Sequence, residues 1–122
     1  MKTKNEITIS YIKNLGKNKC KDNFNALLRL YNDEELPLEL KREVVSSIGR
    51  QDEKSLVAAF IQANYKSKKN SMDIIYQFYR TCLYNSDIPI FAKLANDIEV
   101  FYENEMISKM KSFYLFRKNR NK

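Results

Sequence analysis

The chain has 122 residues, a formal net charge of +7, no histidine, and 43% hydrophobic and 12% aromatic residues. That size fits one domain with a small but real core, and the apolar content excludes a disordered chain. The missing histidine removes Ser–His triads, imidazole proton shuttles and the commonest zinc ligand.

Only two Gly and two Pro occur, and period-two alternation is rare, so helices are expected throughout. Helix one is expected from about Asn5 to Leu15, on Ile7, Tyr11, Ile12 and Leu15, with Gly16 as its C′ residue. Asp22 is the expected N-cap of helix two, whose face is Phe24, Leu27, Leu28 and Tyr31. Helix three has Pro37 in its first turn and a stripe of Leu40, Val44, Val45 and Ile48, with Gly49 placed to admit a close neighbour. Asp52 is expected to cap helix four, built on Leu56, Val57, Phe60 and Ile61. After the polar loop 66–71, helix five carries Ile74, Ile75, Phe78 and Cys82. Asp87 and Pro89 open helix six, with Phe91, Leu94, Ala95, Ile98 and Phe101; helix seven uses Met106, Ile107, Met110, Phe113 and Tyr114. The expected domain is 1–116, with 117–122 a basic, frayed tail.

One pattern recurs. Glu43-Val44-Val45-Ser46-Ser47-Ile48 lies over Asp73-Ile74-Ile75-Tyr76-Gln77-Phe78, 30 residues on, and over Glu105-Met106-Ile107-Ser108-Lys109-Met110, 32 further. Helical repeats at this period imply stacked hairpins, because no single pair buries both of its faces.

Charge is concentrated at the ends. Residues 1–21 and 105–122 each carry six basic residues against one acid, whereas 22–104 carry ten basic and thirteen acidic. Basic ends suit phosphate contact, although abundant Lys, Asn, Ile and Tyr are also what AT-rich codons supply. Cys20 and Cys82 read as reduced thiols. The longest uncharged stretches, such as Ser55 to Tyr65, are about eleven residues, against roughly 20 for a membrane span. With the basic start running into a polar segment rather than an apolar one, a cytoplasmic protein without membrane contact is expected.

The run Leu36-Pro37-Leu38-Glu39-Leu40-Lys41-Arg42-Glu43-Val44-Val45-Ser46-Ser47-Ile48-Gly49-Arg50, followed by Gln51 and then Asp52, resembles the second helix and turn of a HEAT repeat. The resemblance covers 22–67 well and 68–116 more weakly, with Tyr76 and Tyr79 replacing small residues. It implies an all-α fold: a short right-handed α-α superhelix of about seven helices in roughly three HEAT-like hairpins, with helices three, five and seven on the concave side. The family includes scaffolds that grip proteins and bacterial DNA glycosylases with a basic groove. Small HEAT-like modules also accompany bacterial DNA-modification systems. The motif specifies no chemistry, and the aromatic Trp of a glycosylase base-contact site is absent here.

Arg50 and Arg80 fall at equivalent repeat positions and form a candidate ladder, about 10 Å per rung, with Lys109 and Lys111 extending it. Tyr76, Tyr79 and Tyr84 surround the core of helix five, and tyrosine with arginine is the composition of binding hot spots and also stacks on bases. Glu43, Asp73 and Glu105 read as dipole-favoured acids near helix starts. Phe113, Tyr114, Leu115 and Phe116 cover most of a helix circumference, so exposure, and hence a homodimer or docking end, is expected. No Walker loop, dinucleotide fingerprint or calcium loop occurs, and neither catalytic residues nor a cofactor is expected. The expected function is non-catalytic protein binding on the concave face. The alternative is nucleic-acid binding through the basic ends with Arg50 and Arg80, linked to bacterial DNA modification or repair, and a third reading is a small HEAT-like enzyme acting on DNA.

Overall fold

The computed structural model describes residues 7–120, which form seven α-helices packed on one another and, among the described residues, no strand. The protein is therefore all-α. The helices are α1 (Ile9–Lys17), α2 (Lys21–Tyr31), α3 (Leu38–Gly49), α4 (Lys54–Asn64), α5 (Met72–Tyr84), α6 (Pro89–Tyr102) and α7 (Glu105–Arg120). The chain divides into two compact units, one ending at Ala59 and one beginning at Phe60, so the boundary falls within α4.

In the first unit α1, α2 and α3 pack mutually. Ile12, Phe24, Leu27, Val44, Val45 and Ile48 are buried, as helical spacing predicts. The crossing of α1 and α3 depends on small residues. A Cβ on Gly16 would lie 2.7 Å from Ser47 Oγ and 2.8 Å from Ser47 Cβ, so only glycine fits. At this distance buried polar groups reach the opposite backbone. Ser47 Oγ donates to the Ile12 carbonyl at 3.3 Å, and Gln51 Nε2 donates to the Gly16 and Ser47 carbonyls at 3.5 and 3.3 Å. Such bonds satisfy groups that are costly to bury alone. The close-approach glycine is thus Gly16, not Gly49. Gly16 also lies inside α1 rather than at C′, because the helix continues to Lys17 and ends at Asn18.

Several boundaries differ from expectation. α1 begins at Ile9, where the Thr8 hydroxyl accepts the Tyr11 N–H at 3.1 Å; the expected start at Asn5 lies outside the described residues. Cys20, with no side-chain cap bond, precedes α2, and Asp22 sits in the first turn, where its charge still favours the helix dipole. Asp52 does not cap α4: the Glu53 carbonyl accepts the first helical N–H groups, from Leu56 and Val57. Leu56 is exposed and Ala58 is buried in its place.

The second unit is packed by large side chains. α5 buries Ile74, Ile75, Phe78, Tyr79, Cys82 and Leu83, and packs on α6 and α7. Phe60 and Phe78 meet edge to face, with ring centroids 5.7 Å apart. The Ser71 hydroxyl accepts the Ile74 N–H at the start of α5, and Ile88 precedes Pro89, the first residue of α6. Phe101 is half exposed and touches Tyr65 and Tyr102 edge-on, while the Tyr102 hydroxyl donates to the Tyr65 carbonyl. α6 ends on Glu103 in the left-handed region, φ 42°. Only Ile107 is buried on α7; Met106, expected inside, is exposed. α7 runs through Arg120, so residues 117–120 are helical, while 121–122 lie outside the described residues.

Candidate functional site

In the first unit, Arg50 is held by its own helix. Its guanidinium donates to Ser46 Oγ at 3.1 Å and Ser47 Oγ at 3.4 Å, and lies 3.5 Å from Glu43. Glu43 also faces Lys13 of α1 at 3.8 Å. Lys19 pairs with Asp52, beside an open cleft of about 450 Å³ that includes the exposed Cys20, Lys21, Phe24 and Gln51. Lys54 donates to the Gly49 carbonyl at 2.9 Å. Loss of hydration, then Lys19, lowers the pKa of Lys54, while Asp52 opposes the shift.

In the second unit, Arg80 stacks over the Tyr84 ring at 5.3 Å. Tyr84 meets Tyr114 of α7 edge to face at 5.3 Å, and the Tyr114 hydroxyl shares a long 3.5 Å contact with Ser86. Lys118 lies over Tyr114 at 6.0 Å and Arg117 over Phe113 at 5.6 Å. Tyr84, Tyr114, Arg117 and Lys118 line a cleft of about 270 Å³. Among the described residues no acid pairs with Arg80, Arg117 or Lys118. Cation–π contact orients such groups without neutralising them. Lys109 and Lys111 behave otherwise: Lys109 pairs with Glu105 at 3.5 Å and Lys111 with Glu99 at 2.8 Å.

Arg50 and Arg80 belong to different units, and each has a local contact of its own. Tyr79 has no accessible surface and is a core residue, not a surface anchor. Its hydroxyl lacks a hydrogen bond of good geometry, and burial, then Glu99, raises its pKa. Tyr76 is half-buried with its hydroxyl enclosed and unpartnered; burial first and Asp73 second raise its pKa. Asp73 and Glu105 occupy first turns, as the dipole favours, whereas Glu43 also links α3 to α1.

Phe113 and Phe116 are each 62% exposed, Leu115 is also exposed, and Tyr114 is half-buried. Large exposed apolar residues are unevenly shared. The first unit has Ile9, Leu38 and Leu56, while the second has Tyr84, Ile90, Val100, Phe101, Met106, Phe113, Leu115 and Phe116. Tyr84 is one of the three tyrosines considered from the sequence, and Arg117 and Lys118 belong to its basic C-terminal end, but their grouping with Tyr114 was not foreseen. Its signal is the spacing of Arg80–Tyr84, Phe113–Arg117 and Tyr114–Lys118, each pair four residues apart and so stacked on one helix face.

Among the described residues no group of three or more His, Cys, Asp or Glu is placed to hold a metal, and no helix is long and apolar enough to cross a membrane. No family of known proteins, no curated protein and no solved structure matches the chain.

Proposed function

We propose that this chain is a non-catalytic, HEAT-like interaction module of the cytoplasm that docks a protein partner, with the exposed face of α7 as its principal contact. The observation that carries this reading is the concentration of exposed apolar side chains in the second unit, above all Phe113, Leu115 and Phe116. Contiguous apolar exposure of this kind marks interaction surfaces. Aromatic side chains beside Arg are the composition of binding hot spots. A second copy of the chain is a poor occupant, because α7 carries five basic residues and one acid between Glu105 and Arg120 and would meet its own charge.

The test is affinity capture from source cells with wild-type protein and with Phe113→Ser/Phe116→Ser, alongside light scattering of the purified proteins. The expected result is a stoichiometric partner lost in the double variant, and a monomer in isolation. Equal capture by both proteins contradicts the docking face. A stable wild-type dimer that the double variant dissociates replaces the external partner with a second copy. A second reading, nucleic-acid binding, is favoured by one specific observation: Arg80, Arg117 and Lys118 lack acidic partners and sit on tyrosine or phenylalanine rings. Arg50 is bonded within its own helix.

A further inference from the structure

We propose that the cleft between the end of α5 and α7 is a binding site for single-stranded nucleic acid, with a base packed against the Tyr84–Tyr114 pair and phosphates met by Arg80, Arg117 and Lys118. The proposal rests on the nucleic-acid reading and gives it a strand type and a location.

Three observations converge. All four lining side chains are aromatic or cationic, and none is aliphatic. A stacking platform flanked by cations is an arrangement that single strands use. The two rings are held at 80° to one another, and Tyr84 is more than half exposed, so aromatic surface is presented rather than packed away. The third observation is electrostatic. Lys109 and Lys111 are matched with acids, but the cations around the tyrosines are not, so their positive charge is left unneutralised at the cleft. A duplex keeps its bases stacked inside and offers the rings nothing to stack on; a single strand offers unpaired bases. Tyr114 and Phe116 are two positions apart on α7, roughly 200° around the helix, while Arg117 of the cleft lies over Phe113, so the cleft adjoins the apolar side chains proposed to dock a protein.

Fluorescence anisotropy tests this with a labelled oligothymidylate of about 15 nucleotides, within the span a small single-strand site covers, and a duplex of equal length, at about 50 and 200 mM salt. The single strand is expected to bind more tightly than the duplex, and both to weaken with salt. Tyr84→Ala is expected to weaken single-strand binding about tenfold, and Tyr84→Phe, which keeps the ring, to restore it. Arg117→Ala and Lys118→Ala should each lower the salt slope by about 0.7, the value for one single-strand phosphate. Lys93→Gln removes an equal charge from α6, where Lys93 pairs with Asp97, and should leave binding unchanged. Tyr84 and the cations are exposed, so these variants are expected to fold, which circular dichroism verifies. Equal affinity for both strand types, wild-type binding by Tyr84→Ala, or displacement by polyglutamate as effectively as by unlabelled oligonucleotide would overturn the site while leaving electrostatic nucleic-acid binding standing. Absence of binding to both probes at low salt would overturn the site and the nucleic-acid reading together.

Discussion

The two units differ in what holds them and in what they leave exposed. The first is joined at Gly16 and Ser47, where two helices touch nearly backbone to backbone and buried hydroxyl and amide groups bond across the gap. Several of its charges pair internally, as Lys13 and Arg50 do with Glu43. The second is filled by Phe60, Phe78, Tyr79 and Phe91, and keeps further aromatic and cationic groups at its surface. A core of large rings needs no close helix crossing, and a helix carrying four large apolar residues in succession cannot bury them all. Half of the second unit's exposed apolar residues, Met106, Phe113, Leu115 and Phe116, belong to α7. This exposure directs the search for function to the second unit.

Truncation and insertion should separate these two modes of packing. Phe78→Ala is expected to lose about 3–5 kcal/mol in chemical denaturation, since it removes a fully buried ring and its edge contact with Phe60. Gly16→Ala is expected to lose about 1–2 kcal/mol, because overpacking costs about 1–3 kcal/mol and the gain in helix propensity returns less than about 1. Ser47→Gly added to Gly16→Ala should recover part of that loss. A neutral Gly16→Ala would show that the α1–α3 crossing is not set by steric contact, and the contrast with the second unit would fail.

Alkaline pH sharpens the comparison. Burial pushes the Cys82 thiol from its ordinary value of 9.0 up to about 12. The unfolded thiol therefore releases its proton from about pH 9 while the folded one retains it. The corresponding stability is fully present below pH 9 and is lost as pH rises from 9 to about 12, by up to about 1.4 kcal/mol per pH unit. Tyr79 acts in the same direction from about pH 10, through burial and then Glu99. Both belong to the second unit. Denaturation at pH 8 and 10.5 should show this loss, and Cys82→Ala should flatten it. The smallest expected effect is local: Glu103→Gly relieves a left-handed residue at the end of α6 and should stabilise by about 0.5–1 kcal/mol, read as a small rise in the denaturation midpoint.

Much of the fold was legible in the sequence. Ile12, Val44, Val45, Ile48, Ile74, Ile75, Phe78, Leu94 and Ile98 were assigned to the core by 3.6-residue spacing alone, and all are buried. Spacing fixes a face only to within a residue or so, which is why Leu56 and Ala58 exchange roles on α4. Tyr79 was read as a binding-surface tyrosine because tyrosine with arginine is the composition of hot spots, but it lies one position from Phe78 and four from Ile75, and its ring is buried with theirs. Asp22 and Asp52 are good capping residues that fall one or two positions from the cap, because tertiary packing sets where each helix starts. The exposure of α7 was legible from four apolar residues in a row. The Tyr84–Tyr114 cleft was not, since it joins α5 to α7 through a contact between residues 30 apart.

The proposed docking of a partner on the second unit through α7 is tested by placing a photo-reactive phenylalanine analogue at Phe116 and, in a separate protein, at Leu38, an exposed apolar position of the first unit. After irradiation in source cells, a discrete crosslinked product is expected from position 116 and none from position 38. Products from position 38 alone, or identical products from both, would contradict the proposed docking.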